Sequence, residues 1–365
     1  MKLPLTVLAM ASGACLLGAL GSCGDAPGDT NSTSTTPAGA AASTDVVSIK
    51  VDAPIAIDAK VEAAWDNAPA TTITVDKTPY KPSNGYEGMT STTMTMQSLY
   101  DTENVYFLVK VKDPTKSLAR FPWIKQDDGS WKQSANKDST GHDNTFYEDK
   151  FAVYWDINTK GFAKKGCAIS CHMNENGKVN DIDDTSAGRK YTNAPGETID
   201  MWHWKGVRTG SVGQVDDQYV NNDAPGDNKN WGRHGDTKTG GGYSNNKSED
   251  GTLPAFMNPP SASANTYWIK ASDKVAFKDT FKAGDIIPGI IVSPFTGHRG
   301  DISAEAVWAD GVWTIEMQRK LVTEGGEQDV QFSDLAKTYH FGVSVFDNSQ
   351  INHVYHEGVQ TFSFK

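Results

Sequence analysis

From Val46 onward the chain runs in short stretches rich in Val, Ile, Tyr, Phe and Trp, in which apolar and polar residues alternate between boundaries of Gly, Asp, Asn and Pro. A period of two places successive side chains on opposite faces of an extended backbone, so these stretches predict β-strands. The clearest cover Asn104–Lys112, Phe151–Ile157, Ile286–Val292, Ile302–Trp308, Val312–Leu321 and Tyr339–Phe346. Asp310-Gly311, between two of these runs, predicts a tight hairpin because both central positions of such a turn require positive φ. No stretch has the 3.6-residue period of an amphipathic helix longer than three turns. Many short strands at this spacing predict an all-β fold, a sandwich or a barrel. Residues 208–263 are dense in Gly, Asn and Asp, and Tyr219, Trp231 and Tyr243 give them something to pack with. They are expected to form an ordered loop wrapped over one end of the sheets.

The chain begins differently. Residues 1–22 read as an export signal, with Lys2, an apolar run from Leu3 to Leu20, and small residues before Cys23. Leu20-Gly21-Ser22-Cys23 resembles the bacterial lipobox, in which the cysteine is lipidated and becomes the mature N-terminus; an ordinary secretory signal cut nearby is the competing reading. Gly24, rather than Asp, after that cysteine points toward the outer membrane. Residues 23–46, rich in Ser, Thr, Ala, Gly and Pro, are expected to be a flexible tether, and 47–365 one folded domain. No later stretch reaches the roughly 18 apolar residues of a spanning helix. The expected location is exported, as a lipoprotein of the outer membrane or facing the periplasm.

Acidic residues outnumber basic ones by 45 to 34, a net charge of −11, which argues against a general binder of the nucleic-acid backbone. Four cysteines are too few for a disulfide scaffold. Processing as expected removes Cys15 and commits Cys23 to lipid, leaving Cys167 and Cys171. These stand in Cys167-Ala168-Ile169-Ser170-Cys171-His172. Two thiols followed at once by an imidazole have the chemistry of covalent haem attachment: the thiols add to the two vinyl groups and the adjoining His172 comes under the iron. Three residues separate the cysteines where two are usual, a spacing that still reaches both vinyls. A Cys167–Cys171 disulfide, a zinc site and a catalytic thiol are the other chemistries open to this pair.

An ordered set of segments surrounds the motif. YEDK (147–150) runs into FAVYWDI (151–157) and then GCAISCH (166–172). DMWHWKGVRTG (200–210), DDQYV (216–220), GGGYSNN (240–246), PAFM (254–257), HRGDISA (298–304), DVQF (329–332) and FGVSVFDNSQINHVYH (341–356) follow. From about residue 48 to the end, this set resembles the haem-binding family related to the cytochrome subunit of ethylbenzene dehydrogenase and other enzymes of the dimethyl-sulfoxide reductase class. The resemblance implies an immunoglobulin- or CBM9-like β-sandwich whose long loops enclose one haem between the sheets. Family members without the cysteines hold haem b through Met and Lys; the covalent members, which this chain resembles, take their cysteines and first His from the loop after the FAVYWDI-like strand. The second ligand maps to the segment after the FDN-like strand, which makes His353 the leading candidate here. His356 and His203 are the alternatives, ahead of Met257 and of Met173, whose backbone would have to cross the porphyrin edge. By position in the same motifs, Arg299, Lys205 and Arg208 are expected to meet the propionates, and Trp202, Trp204 and Phe346 to wall the porphyrin.

Ligation by two imidazoles leaves little room for a substrate, so the expectation is an electron-transfer protein rather than an enzyme. It would be a membrane-tethered monohaem cytochrome c that exchanges electrons with a partner oxidoreductase or another cytochrome and binds no nucleic acid. The alternative from another class is a surface module that binds carbohydrate through exposed aromatics, with Cys167 and Cys171 joined. A haem enzyme or gas sensor would require an open iron position. The acidic runs at 181–184 and at Asp216-Asp217 match no known calcium loop and are read as solvated charge. His142, His234, His298 and His340 receive no role.

Overall fold

The computed structural model describes residues 45–78, 88–135, 145–171, 178–179, 182–183, 190–223, 232–260 and 267–365. Thirteen strands form one continuous sheet. In chain order they are β1 (Asp45–Lys50), β2 (Thr71–Val75), β3 (Thr92–Tyr100), β4 (Asn104–Lys112), β5 (Lys150–Asp156), β6 (Ile199–Lys205), β7 (Asp216–Val220), β8 (Arg233–Gly235), β9 (Ser303–Ala309), β10 (Val312–Lys320), β11 (Tyr339–Phe346), β12 (Val354–Tyr355) and β13 (Gln360–Phe364). The spatial order is β8-β7-β6-β5-β11-β13-β1-β3-β4-β10-β9, with β2 beside β3 and β12 beside β11. Most neighbours are antiparallel. The exception is β1, parallel to both β13 and β3 in registers such as Val46↔Phe362 and Ser48↔Ser98, which stitches the two ends of the domain together.

The sheet folds over on itself into a β-sandwich, because each half has an apolar face that water disfavours. Phe107 of β4 meets Trp155 of β5 and Trp202 of β6 at ring-centroid distances of 5.7 and 5.6 Å, and Phe362 of β13 at 5.3 Å. Trp155 also packs on Phe332 and Phe341 at 5.2 and 4.9 Å. Aromatic rings at these separations and tilts fill the space between the halves and add to the free energy of burial. Among the described residues the helices are short, and none is long and apolar enough to cross a membrane.

Two predicted strands, Asn104–Lys112 and Tyr339–Phe346, appear with the predicted limits, and three others shift by one residue. The Asp310-Gly311 hairpin is present: Ala309 pairs with Val312, and the two turn residues have φ of 51° and 77°. The run Ile286–Val292 is not one strand. Ile286–Ile287 pairs with Trp123–Lys125, whereas Ile290–Gly297 pairs with Lys238–Asn245 in a separate sheet. The break falls at Pro288-Gly289, where a Cβ on Gly289 would lie 1.8 Å from the Phe121 carbonyl oxygen. The stretch 208–263, expected as a loop, instead contributes β7, β8 and the strands Lys238–Asn245 and Phe256–Met257.

Replacing Trp155, fully buried at the centre of this aromatic packing, with Ala is expected to cost about 3–5 kcal/mol, measured by chemical denaturation. A loss below about 1 kcal/mol would mean that the halves are not held together here.

Candidate functional site

Strands β5, β6 and β11 lie side by side, and alternation gives each two different faces. Phe151, Val153, Trp155, Trp202, Trp204, Phe341 and Val345 enter the core between the halves. Ala152, Tyr154, Met201, His203, Gly342, Ser344 and Phe346 face the other way and line a cavity with Cys167, His353 and Tyr355. It is narrow, with about 20 Å³ of room for a water-sized sphere, about what one water needs.

The segment between β5 and β6 covers this outer face. Two one-turn helices, Phe162–Lys165 and Ala168–Cys171, form there, and Phe162, Cys167 and Ile169 pack with Tyr154, Ile199, Met201 and Val220. Glycines set the approach. A Cβ on Gly166 (φ 60°) would fall 1.7 Å from the Gly358 carbonyl oxygen, and one on Gly342 would fall 2.8 Å from the Cys167 Cβ. Only hydrogen at those two positions lets the cysteine segment lie against β11 and the chain before β13.

Two histidines line the cavity, and their hydrogen bonds assign them opposite characters. His353 Nδ1 lies 2.7 Å from the Ile351 carbonyl oxygen, which can only accept, so Nδ1 carries the proton and Nε2 the lone pair. A proton held on the far nitrogen by a carbonyl is the arrangement that prepares an imidazole to ligate a metal. His203 Nδ1 lies 3.3 Å from Arg233 Nη2, and a guanidinium has no acceptor, so Nδ1 accepts and Nε2 carries the proton. That Nε2 is buried with no hydrogen-bond partner. Phe346 stands between the two rings, with centroids 5.7 Å from His203 and 4.6 Å from His353. Burial first, and then the charges of Lys205, Arg233, Lys150 and Arg208, hold His203 well below its ordinary pKa, so it is neutral.

Beyond His203 the same face is densely basic. Lys205 bonds Asp216 and, at 3.2 Å, the Tyr243 hydroxyl, while Arg299 grips Asp216 through two nitrogens at 2.6 and 3.1 Å. Arg208 pairs with Glu148, and Arg120 approaches the same carboxylate at 3.6 Å. Burial works to raise both carboxylates, but the paired cations outweigh it and leave each below its usual pKa. Lys150 rests 3.9 Å above the Phe346 ring and donates to the Gln350 carbonyl oxygen; burial first, and then neighbouring cations, press its pKa well down. Six basic side chains thus share two carboxylates, and the region favours an anionic group.

Of the residues expected at a haem site, Cys167, His203, His353 and Phe346 come together here. Trp202 and Trp204 do not. They project from the opposite face of β6 into the core, where Trp202 Nε1 donates to Asp200 at 3.0 Å and Trp204 packs 5.0 Å from Trp313. The expectation of a group held between the two halves meets the same obstacle, because that space is packed with rings and the cavity lies on an outer face. Arg299 is engaged with Asp216 and does not line the cavity. Nor does His356, whose Nδ1 donates to the Thr74 carbonyl oxygen, or Met257, which packs with Trp123 and Trp131 in a separate cluster. Asp216 and Asp217, read as solvated charge, are fully buried. Cys23, His172, Met173 and the side chain of Cys171 lie outside the described residues, as do the signal and the expected tether up to residue 44; its last two residues, Asp45 and Val46, open β1 instead. Sequence reasoning missed Tyr154, Met201, Lys150 and Arg233. Alternation through FAVYWDI and DMWHWK would have grouped the first two with His203, had the registers Met201↔Tyr154 and His203↔Ala152 been known.

The folded-state pKa of His203 lies below the unfolded value of about 6.5. Its contribution to stability is therefore present above that pH and is lost as pH falls, because the unfolded chain takes up a proton that the folded one refuses. The slope approaches about 1.4 kcal/mol per pH unit. His203→Gln is expected to flatten the decline in unfolding free energy between pH 6.5 and 5; an unchanged decline would show that another group causes it.

No curated protein sequence gives a match. Among solved structures, the chain is similar to a family 9 carbohydrate-binding module from Caldicellulosiruptor kristjanssonii in complex with cellotriose, at 10% identity and a TM-score of 0.34, covering 88% of this chain and 93% of that one. A glucose complex of a family 9 module from the same organism matches at 10% identity and a TM-score of 0.33, over 88% and 95%. The family model described as ethylbenzene dehydrogenase matches residues 62–358, a span that takes in the cysteine segment, β5, β6, β11 and both cavity histidines. The chain belongs to the ethylbenzene dehydrogenase family.

Proposed function

We propose that this protein is a single-haem cytochrome c, tethered to a membrane through lipid on Cys23, that relays electrons to or from a partner oxidoreductase or another cytochrome. The observation that carries the reading is the meeting of Cys167 with a histidine, His353, whose lone pair is held on Nε2 in a cavity flanked by excess positive charge. Membership of the ethylbenzene dehydrogenase family is compatible with a redox role.

In this reading Cys167 and Cys171 would hold the haem by thioethers, and His172 and His353 would ligate its iron. Haem so held supplies one-electron exchange. The chain's own residues do the rest. Ile351 keeps the His353 ring oriented through its carbonyl oxygen. Tyr154, Met201, Phe346 and Tyr355 form the apolar wall that keeps water out, and low polarity there bears on the redox potential. The basic residues around His203 offer charge to propionates, and the buried His203 Nε2–H offers a donor rather than a ligand. Among the described aromatic side chains only Tyr267 is strongly exposed, which supplies little of the open platform that a sugar-binding face requires.

The full-length protein, expressed with a working haem-maturation system, is expected to be red, to keep its haem through acid-acetone extraction and to show a low-spin reduced-minus-oxidised spectrum. His353→Ala is expected to turn it high-spin and open to carbon monoxide, whereas His203→Gln keeps it low-spin. A colourless protein with Cys167 joined to Cys171 overturns the proposal, and a low-spin spectrum surviving in His353→Ala overturns this ligand.

A further inference from the structure

On the core side of β6 and β7, five aspartates from separate parts of the chain converge: Asp200, Asp217, Asp236, Asp301 and Asp329. Carboxylate oxygens of Asp217, Asp236 and Asp329 all lie within 4.8 Å of one another. Six oxygens of the set are buried without a hydrogen-bond partner: Asp200 Oδ1, Asp217 Oδ2, both of Asp236, Asp301 Oδ1 and Asp329 Oδ1. The guanidinium of Arg319 lies 3.8 Å from Asp200 and 3.4 Å from Asp329, His298 acts on Asp301 from the rim, and Arg299 acts on Asp236 although it is already paired with Asp216.

One arginine does not balance five buried carboxylates, and a buried charge left uncompensated is costly. The second acidic cluster of the domain, Asp113, Asp149 and Asp347, makes an instructive contrast. There Asp149 accepts from the backbone N–H groups of Ser117 and Asn348 and from Trp313 Nε1, and Asp113 accepts from the N–H of Thr115. In the Asp217 cluster, Asp217 Oδ1 accepts from the Gln218 N–H, Asp329 Oδ2 from the Thr323 hydroxyl, and Asp200 Oδ2 from Trp202 Nε1 and the Val330 N–H, which leaves the six oxygens named above without a donor.

We propose that Asp217, Asp236 and Asp329, with Asp200 and Asp301, form a structural site for one hard divalent cation, calcium. Calcium takes 6–8 oxygens at about 2.4 Å, so oxygens on opposite sides of the ion stand about 4.8 Å apart, and the oxygens of Asp217, Asp236 and Asp329 all lie within that distance of one another. The donors are all carboxylate oxygens, which select against softer metals. Asp301 is only partly buried and offers a way in from solvent. The ion would join β6, β7, the residue after β8, the turn before β9 and the chain between β10 and β11. None of these residues lines the cavity, so the site is independent of whether haem binds there.

The test uses full-length protein freed of metal with chelator and titrated with CaCl₂, followed by calorimetry and thermal unfolding, with TbCl₃ as a luminescent probe. Trp202, whose Nε1 bonds Asp200, is placed to sensitise bound terbium. Calcium is expected to bind and to raise the Tm by about 5 °C or more at saturation. Asp236→Asn is expected to weaken binding at least about 100-fold. Asp113→Asn leaves binding unchanged, and Trp202→Phe lowers the terbium signal excited through tryptophan, with Trp155 5.3 Å from Trp202 as the remaining nearby indole. Absence of calcium binding at 10 mM (about the weak limit for protein sites) overturns the proposal. Undiminished binding in Asp236→Asn, or loss of binding in Asp113→Asn, overturns it as well. Should Asp236→Asn fail to fold, terbium luminescence undiminished in Trp202→Phe overturns the location.

Discussion

Alternation along β6 is the constraint on which the rest of the structure depends. Within Ile199–Lys205, Trp202 and Trp204 enter the packing between the two halves, while Met201, His203 and Lys205 point to the outer face. Antiparallel registers with β5 and β7 carry the division across three strands, since Trp202 stands opposite Val153 on one side and Asp217 on the other. A slip of one residue would exchange the two faces, burying the histidine and lysine among tryptophans and exposing the indoles. The dense aromatic core thus serves the cavity indirectly, by holding the register that puts His203, Tyr154 and Gly342 on one surface.

Buried charge gathers on both sides of these strands, with opposite sign. The outer face carries Lys150, Lys205, Arg208 and Arg233 around His203, answered by Glu148 and Asp216. The inner end of β6 and β7 carries Asp200 and Asp217, answered by Arg319. Neighbouring positions in DDQYV separate the two environments: Asp216 is held ionised by Lys205 and Arg299, while burial and then neighbouring carboxylates push Asp217 well above its usual pKa. Uncompensated charge of this kind is more than stability alone calls for, and it is the physical ground for expecting an anionic group on one side and a cation on the other.

Much of the fold was legible in local pattern. Asn104–Lys112 and Tyr339–Phe346 alternate cleanly and are flanked by turn residues, so period and boundary agreed. Pro288-Gly289 misled because apolar residues on both sides read as one run, although the break sends them to different sheets. Asp216-Asp217 misled because adjacent acids are usually solvated, and nothing local announces that Lys205 and Arg299 will arrive to bury one of them. Trp202 and Trp204, expected at the porphyrin wall, flank His203 in sequence, and in a strand it is immediate neighbours that point away from one another.

By itself the sequence determined the strand-rich class and the position of the Asp310-Gly311 turn, because turn residues and period-two patterning are local properties. Only the tertiary structure decided which face each residue took, that His203 presents a proton where His353 presents a lone pair, and that five aspartates spread from residue 200 to 329 share one pocket. Those outcomes rest on strand register and on partners that approach from distant parts of the chain, such as Arg233, Ile351 and Arg319. No local pattern encodes such meetings, because they are set by how the whole sheet folds to bury its aromatic face.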